Sequence, residues 1–377
     1  MFFSGKHWLF IGIVIYIRNM RLSSFNYNLP KNLIVQKPIR PRDYSRLFAV
    51  DSNKDKIFHR KFYNVVDFLK KGDVLVVNNS KVFPARFLGK KEGGGKAEIF
   101  LLRDKSNGIF EALLGNFKEK NKKYLFEGNL PQGDKKIITV GDGFYCEVLE
   151  FLGGGRWMIK FNKKGKNLWK FIYKFGKAPT PPYIKRLSNL REYQTVYAKN
   201  KGSVAAPTAG FHFTKSLIGK LKKRGVDFEE ITLHVGRGTF EPIRTDKIEQ
   251  HKMRGEWAYI SVKTAKAINK AKKEKRRIIA VGTTTTRTLE SFADEKGLLN
   301  FGAKEVDLYI YPPYNFKIID GLITNFHLPE SSLMILVSAF LRFKNKEWKI
   351  SKIIDIYKKA VAKKYRFYSF GDAMLIV

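Results

Sequence analysis

Between residues 86 and 160 short apolar runs alternate with turn residues. The runs fall at 97–102, 110–114, 137–140, 144–151 and 157–161, parted by GKKEGGGK, FEGNLPQGDK, GDG and LGGGR. Short strands at this spacing predict a small antiparallel barrel or sandwich. The rest of the chain alternates between helical and strand spacing. A helix is expected over 168–175, stopped by Gly176 and the rigid segment APTPPY. A strand at 203–206 leads to a helix at 214–224, with Thr214 as N-cap and Gly225 as stop. Strands follow at 226–235 and 278–281, around a Lys-rich helix at 262–277, and a further helix opens over 288–293. A strand at 318–324 and a buried helix at 332–341 complete the pattern. The expected fold is α/β: a mixed α/β main domain, 20–85 and 162–377, with a small antiparallel β-barrel domain inserted at 86–161.

Three strand-to-helix junctions gather polar, small and histidine residues: SVAAPTAGFHFT (203–214), IIAVGTTTTRTLES (278–291) and LITNFHLPESSLM (322–334). Ligands of α/β sheets bind at the carboxyl ends of strands, where helix N-termini offer unpaired N–H groups to anions. Each junction alone has a plain reading as capping or packing, but three together are more than a stable core requires. There is no P-loop, and GRGTFE (236–241) lacks the third glycine of a dinucleotide fingerprint. His212, His234, His251 and His327 can all titrate near neutral pH.

Charge changes the picture. Lys and Arg number 72 against 34 Asp and Glu, a formal charge of +38 that suits nucleic acid or an anionic membrane. Residues 86–160 hold 14 basic and 10 acidic side chains, so the excess lies outside the barrel. The single cysteine, Cys146, excludes an internal disulfide and a Cys-based zinc site, and reads as a buried strand residue. No H-x-x-x-H pair occurs, and no metal is expected. The apolar run 8–17 is too short to cross a bilayer. Residues 1–19 are read as a mis-assigned leader, with the chain proper starting at Met20.

The junction segments resemble the S-adenosylmethionine:tRNA ribosyltransferase-isomerase family of queuosine biosynthesis. The resemblance runs from about Arg21 to the C-terminus. It includes LPKNLI, SRL, VVNNSKVFPARFLG, PPYI, YQTVYA, GSVAAPTAGFHF, TLHVGRGTFEPI and VGTTTTRTLES, and is strongest in GLITNFHLPESSLMILVSAF and KKYRFYSFGDAM. Two departures stand out: HKMRGE lacks a second histidine and a serine, and four threonines replace a Thr-Thr-Ser pattern.

The resemblance implies that the ribosyl group of S-adenosylmethionine is isomerised and joined to a tRNA wobble base, 7-aminomethyl-7-deazaguanine. Epoxyqueuosine-tRNA, adenine and methionine are the implied products, and S-adenosylmethionine is a consumed substrate rather than a cofactor. A general base is needed for a sulfonium-acidified proton. The candidates are His212 and His234, with His327 and Glu330 as alternates. Arg287 and the Gly282–Thr286 turn, Thr283 and Thr284 included, would hold the methionine carboxylate, and Asn325 and His327 are further substrate-binding candidates. Asp372 would receive ring N–H groups of the deazaguanine, and Arg86 with the basic surface would hold phosphates. Tyr365 and Phe367 would stack on a splayed anticodon base or pack in the core. The partners expected are tRNA and S-adenosylmethionine, for a cytoplasmic monomer without a membrane. Competing readings are an RNA methyltransferase, a non-catalytic RNA-binding protein and a membrane-surface protein.

Overall fold

Apolar runs too short for helices make the middle of the structure. The computed structural model describes residues 19–115, 136–179, 183–184, 190–236 and 242–377. The leader, apart from Asn19, lies outside the described residues, as do FEGNLPQGDK, the centre of APTPPY and 237–241 of GRGTFE.

Strands β1 (Arg46–Asp51), β2 (Lys56–Lys61) and β3 (Val74–Asn78) precede a short β4 (Ser80–Val82). Six strands follow: β5 (Arg86–Lys91), β6 (Lys96–Asp104), β7 (Ile109–Gly115), β8 (Lys136–Gly141), β9 (Phe144–Gly153) and β10 (Arg156–Phe161). Next come α1 (Gly165–Phe175), β11 (Asn200–Ser203), α2 (Lys215–Lys223) and β12 (Asp227–Leu233). Then come β13 (Glu256–Ile260), α3 (Val262–Lys273), β14 (Ile278–Val281) and α4 (Thr283–Phe292). The last elements are β15 (Gly302–Val306), β16 (Gly321–Asn325), α5 (Ser332–Lys344), α6 (Ile350–Ala362) and β17 (Ala373–Ile376).

Nine strands form one mixed sheet in the order β15-β13-β12-β3-β14-β16-β17-β1-β2. Its central strands β12, β3, β14 and β16 run parallel. Strands β3, β14 and β16 are buried at every residue, because a parallel strand covered on both faces has no solvent side. On one face Val74, Val76, Ile278 and Ala280 share a core with α3, α4, α5 and α6. On the other, Leu75, Val77, Ile279 and Val281 pack on Leu217 and Leu221 of α2.

The expected barrel is present: β10-β7-β6-β5-β8-β9 closes on itself with every pairing antiparallel. Alternate residues point inward, and Phe87, Phe110, Phe144, Trp157 and Phe161 fill the interior. Cys146 lies among them, its thiol pushed up to about 12 by burial, so it is an inert core residue. Among the described residues no helix is long and apolar enough to cross a membrane.

Several element limits differ from the sequence expectation, each for a local reason. Helix α4 begins at Thr283, not 288, because Gly282 at φ 94° turns the chain straight out of β14, and the threonine hydroxyls are satisfied within the helix. Thr285, Thr286 and Thr288 donate to the carbonyls of Val281, Gly282 and Thr284. The strand read at 203–206 is β11, which pairs with β4. The N–H groups of Val204 and Ala205 donate instead to the Val235 carbonyl. Helix α3 stops at Lys273, since Lys275 turns to φ 52° and Arg277 pairs with Asp73 at 2.5 Å. Strand β16 begins at Gly321 because the N–H groups of Lys317, Ile318 and Ile319 are taken by the buried Glu290 carboxylate.

The chain enters and leaves the barrel side by side. Lys177 N–H donates to the Arg86 carbonyl at 2.8 Å, and Arg86 N–H returns a bond to Lys177 at 3.3 Å. At Gly176 a Cβ would lie 2.5 Å from the carbonyl oxygens of both Ile172 and Pro84. We expect Gly176→Ala to lower the unfolding free energy by about 1–3 kcal/mol, the usual cost of forcing atoms into a packed site. Urea unfolding measures it, and an unchanged midpoint would show that the crossing is loosely packed.

Candidate active site

The parallel strands end at one edge of the sheet, and a cleft opens there. Asn78, Leu233, Val281 and Asn325 terminate β3, β12, β14 and β16 at this edge. Strand β17, antiparallel to β16, starts there, and so does β1, which is parallel to β17. The cleft is shallow and open, about 460 Å³ when the solvent at its mouth is included. Its walls come from the segment 206–209, Val235, Gly282 to Thr284, Thr324, Asn325, His327, Leu333, Tyr368 and Ser369.

Gly282 makes the turn from β14 into α4 without a loop. Its φ of 94° and ψ of 153° fall where side-chain-bearing residues are strained, and its N–H donates to Ile323 at 2.7 Å. No side chain caps α4, so its first N–H groups open toward the cleft between the side chains of Thr283 and Thr284. This is an anion site in the sense of a helix N-terminus with its dipole unopposed. Asn78 donates from its amide to Thr284 Oγ1 at 3.4 Å.

Asn325 and His327 stand opposite. Thr208 Oγ1 donates to Asn325 Oδ1 at 3.0 Å, which turns the Asn325 amide nitrogen toward His212 Nε2 at 3.1 Å. The hydrogen-bond network thus assigns the His212 proton to Nδ1, which donates to Ser45 Oγ at 2.8 Å. Both nitrogens are engaged and the ring is buried, so His212 positions Asn325 rather than lining the cleft. His327 does line it. Its Nε2 is bonded to Thr324 Oγ1 at 2.8 Å, and no described residue bonds Nδ1. Burial pulls both imidazoles down to about 3, so both are neutral at pH 7. For His212 the Asp372 charge opposes that fall while Arg366 and Arg42 add to it.

Other expected site residues are placed elsewhere. His234 stacks on Trp257 beside Gly202, outside the cleft wall, and burial lowers it to about 4. Glu330 faces away, its carboxylate accepting from Asn26 at 3.1 Å. Arg287 is turned from the cleft into a buried ion pair with Glu256 at 2.5 Å, and it donates to the carbonyls of Val306 and Leu308. Glu256 in turn accepts the Gly236 N–H at 2.8 Å, so the pair anchors the chain after β12. Arg287 is therefore a structural residue and not a carboxylate ligand.

Asp372 is fully buried and already saturated. It accepts from Arg46 N–H, Arg366 N–H and the Arg366 guanidinium, leaving no room for a base. Tyr365 and Phe367 are also fully buried, in the core and not at a stacking surface. Arg86 sits at the root of the barrel with Glu98 on its Nε at 2.6 Å. Sequence reading passed over Thr208, Thr324, Tyr368 and Ser369 as individual site residues. Tyr368 turns into the cleft through a left-handed backbone, φ 72°, that nothing in its side chain announces.

A family model described as "Queuosine biosynthesis protein" matches residues 22–376. The chain is 46% identical over 356 residues to the S-adenosylmethionine:tRNA ribosyltransferase-isomerase of Fusobacterium nucleatum, across 94% of this chain and 96% of that one. The protein of that name from Thermosipho melanesiensis is 44% identical over 359 residues, across 95% of this chain and all of its own length. Among solved structures, the S-adenosylmethionine tRNA ribosyltransferase of Thermotoga maritima shares 32% identity at a TM-score of 0.51. That match covers 94% of this chain and 100% of the other.

Two outcomes are expected. Because the folded pKa values of His212 and His327 lie below that of a free imidazole, the unfolded chain takes up protons first as pH falls. Stability is then complete above about pH 6.5 and drops toward pH 4 by roughly 1.4 kcal/mol per unit for each buried histidine. In urea titrations across that range, His327→Gln should remove one proton from the slope, and an unchanged slope would refute the assignment. Separately, Arg287→Met should cost about 3–5 kcal/mol in denaturant unfolding, because it strands the buried Glu256 charge. A loss under 1 kcal/mol would contradict the structural role.

Proposed function

The chain belongs to the queuosine biosynthesis protein family, and on that footing we propose that it is an S-adenosylmethionine:tRNA ribosyltransferase-isomerase. Its ribosyl acceptor is the aminomethyl group of 7-aminomethyl-7-deazaguanine at the tRNA wobble position, and its product is epoxyqueuosine-tRNA. S-adenosylmethionine is consumed, with adenine and methionine released, and no further cofactor or metal is needed. The observation that carries this reading is the cleft: the uncapped N-terminus of α4 and a neutral histidine line the same opening at the sheet edge.

In this reading the methionine carboxylate lies on the N–H groups and hydroxyls of Thr283 and Thr284, where the helix dipole favours a negative group. The sulfonium is a cation, and neutral His327 opposes it with no like charge. The sulfonium also acidifies the C5′ protons, and the acceptor of one is the His327 Nδ1 lone pair on the cleft wall. Adenine then leaves with a proton, the RNA amine attacks the sugar, and closure of the epoxide expels methionine. His327 thus takes the base role considered for His212, His234 and Glu330, since it is the one of the four on the cleft wall.

Incubation with S-adenosylmethionine and tRNA carrying the aminomethyl-deazaguanine should release adenine and methionine in equal amounts. A methyl label should stay in the methionine. His327→Gln should bind tRNA normally yet turn over about 10²–10⁴-fold more slowly, as loss of a general base does. Methylated RNA with S-adenosylhomocysteine would reject the reaction; full turnover by His327→Gln would reject the base.

A further inference from the structure

With Tyr365 and Phe367 in the core, the aromatic surface near the cleft has to be sought elsewhere. It lies on β13. Trp257 and Tyr259 alternate with the buried Ala258 and Ile260, so they project from the opposite face of the sheet. Helix α2 packs farther along that face, on β3 and β14, and Tyr259 is 41% exposed. Trp257 lies nearly parallel to Tyr259, with centroids 6.3 Å apart at 8°. Trp257 also stacks on His234 at 4.9 Å and 18°. His234 immediately precedes Val235, a wall of the cleft. Three rings therefore lead from solvent to the active-site edge.

A second observation lies next to the ladder. Gly202 leaves the room that the His234 ring occupies, and the residue before it, Lys201, is exposed. In the β11–β4 pairing Lys201 sits directly opposite Lys81, and neither has a carboxylate partner among the described residues. Like charges placed opposite in a ladder repel, so an anion from outside would stabilise this pair. Lys201 also lies over the rings of Trp169 and Tyr173 on α1, at 5.6 and 5.3 Å. Aromatic faces beside cations that have no carboxylate partner among the described residues suit a single-stranded nucleic acid, whose bases stack while its phosphates meet the lysines.

We propose that the Tyr259–Trp257–His234 ladder, flanked by Lys81 and Lys201, is the platform on which an unpaired base of the tRNA loop stacks beside the cleft. This rests on RNA being the substrate, and it adds where and how the loop is held. The platform is uncharged and governs unstacked bases; the lysines govern phosphates.

The test is binding of the full chain to an anticodon stem–loop transcript and to a blunt RNA duplex across a salt series. Tyr259→Ala should weaken stem–loop binding by about 5- to 150-fold, the range for one stacked base, with the salt dependence unchanged. Tyr259→Phe should bind as the unsubstituted chain does, and the duplex should not distinguish the three. Lys81→Gln with Lys201→Gln should instead flatten the logarithmic salt slope by about 2. Unchanged stem–loop affinity in Tyr259→Ala, or equal weakening toward the duplex, overturns the platform and leaves the proposed reaction standing. No stem–loop binding by the unsubstituted chain overturns both.

Discussion

Four parallel strands that end together impose the order of everything around them. Each brings its last carbonyls to one edge, where no further strand can satisfy them. The chain meets that demand with turns: Gly282 directly into α4, Asn78 into β4, and Asn325 toward His212. Most polar residues lining the cleft, Thr283, Thr284, Thr324, Asn325 and His327 among them, lie at such an end or border one. The cleft is thus built from the same residues that close the sheet. The Glu256–Arg287 pair shows the same dependence, since it fixes α4, β13 and the start of the chain beyond Val235 with one buried contact.

What could be read in the sequence was the periodicity. The barrel runs, the N-cap at Thr214, the stop at Gly176 and the apolar strand Ile278–Val281 were all visible as local pattern. The site was legible to the level of segments: Gly282, Thr283, Thr284, Asn325 and His327 do gather at one cleft. The charged residues were the opaque part. A sequence shows that Arg287 and Asp372 carry charge but not whether a partner consumes it. Here Glu256 and Arg366 do so, from 31 and 6 residues away. Ring exposure was equally hidden. Tyr365 and Tyr259 read alike in sequence, yet one is fully buried and the other open, because the sheet has a helix-covered interior and a bare flank.

The histidines form a graded set rather than a pair of candidates. His212 is wired on both nitrogens, His327 on one, and His234 keeps a buried Nδ1 with no hydrogen bond. All three are held neutral by burial, and among the described residues no lysine or arginine lines the cleft beside His327, so it carries little positive charge of its own in a chain of net +38. That separation is physically sensible: a cationic sulfonium would be repelled by the charge that draws RNA. The attraction is kept on the outer surface and the reaction space is left electrically quiet.

The double hydrogen bond between Arg86 and Lys177 has a consequence for how this architecture can be taken apart. It places the two ends of the barrel one ladder rung from each other, so in topological terms the whole module is the tip of a hairpin. A short turn joining the two sides of that rung would leave the course of the nine-stranded sheet unaltered. The barrel is thus joined to the main chain at one rung, and its wall touches the nine-stranded sheet again through the Arg103–Glu305 ion pair, so the chain is continuous at the root while the contact at the side is only between side chains.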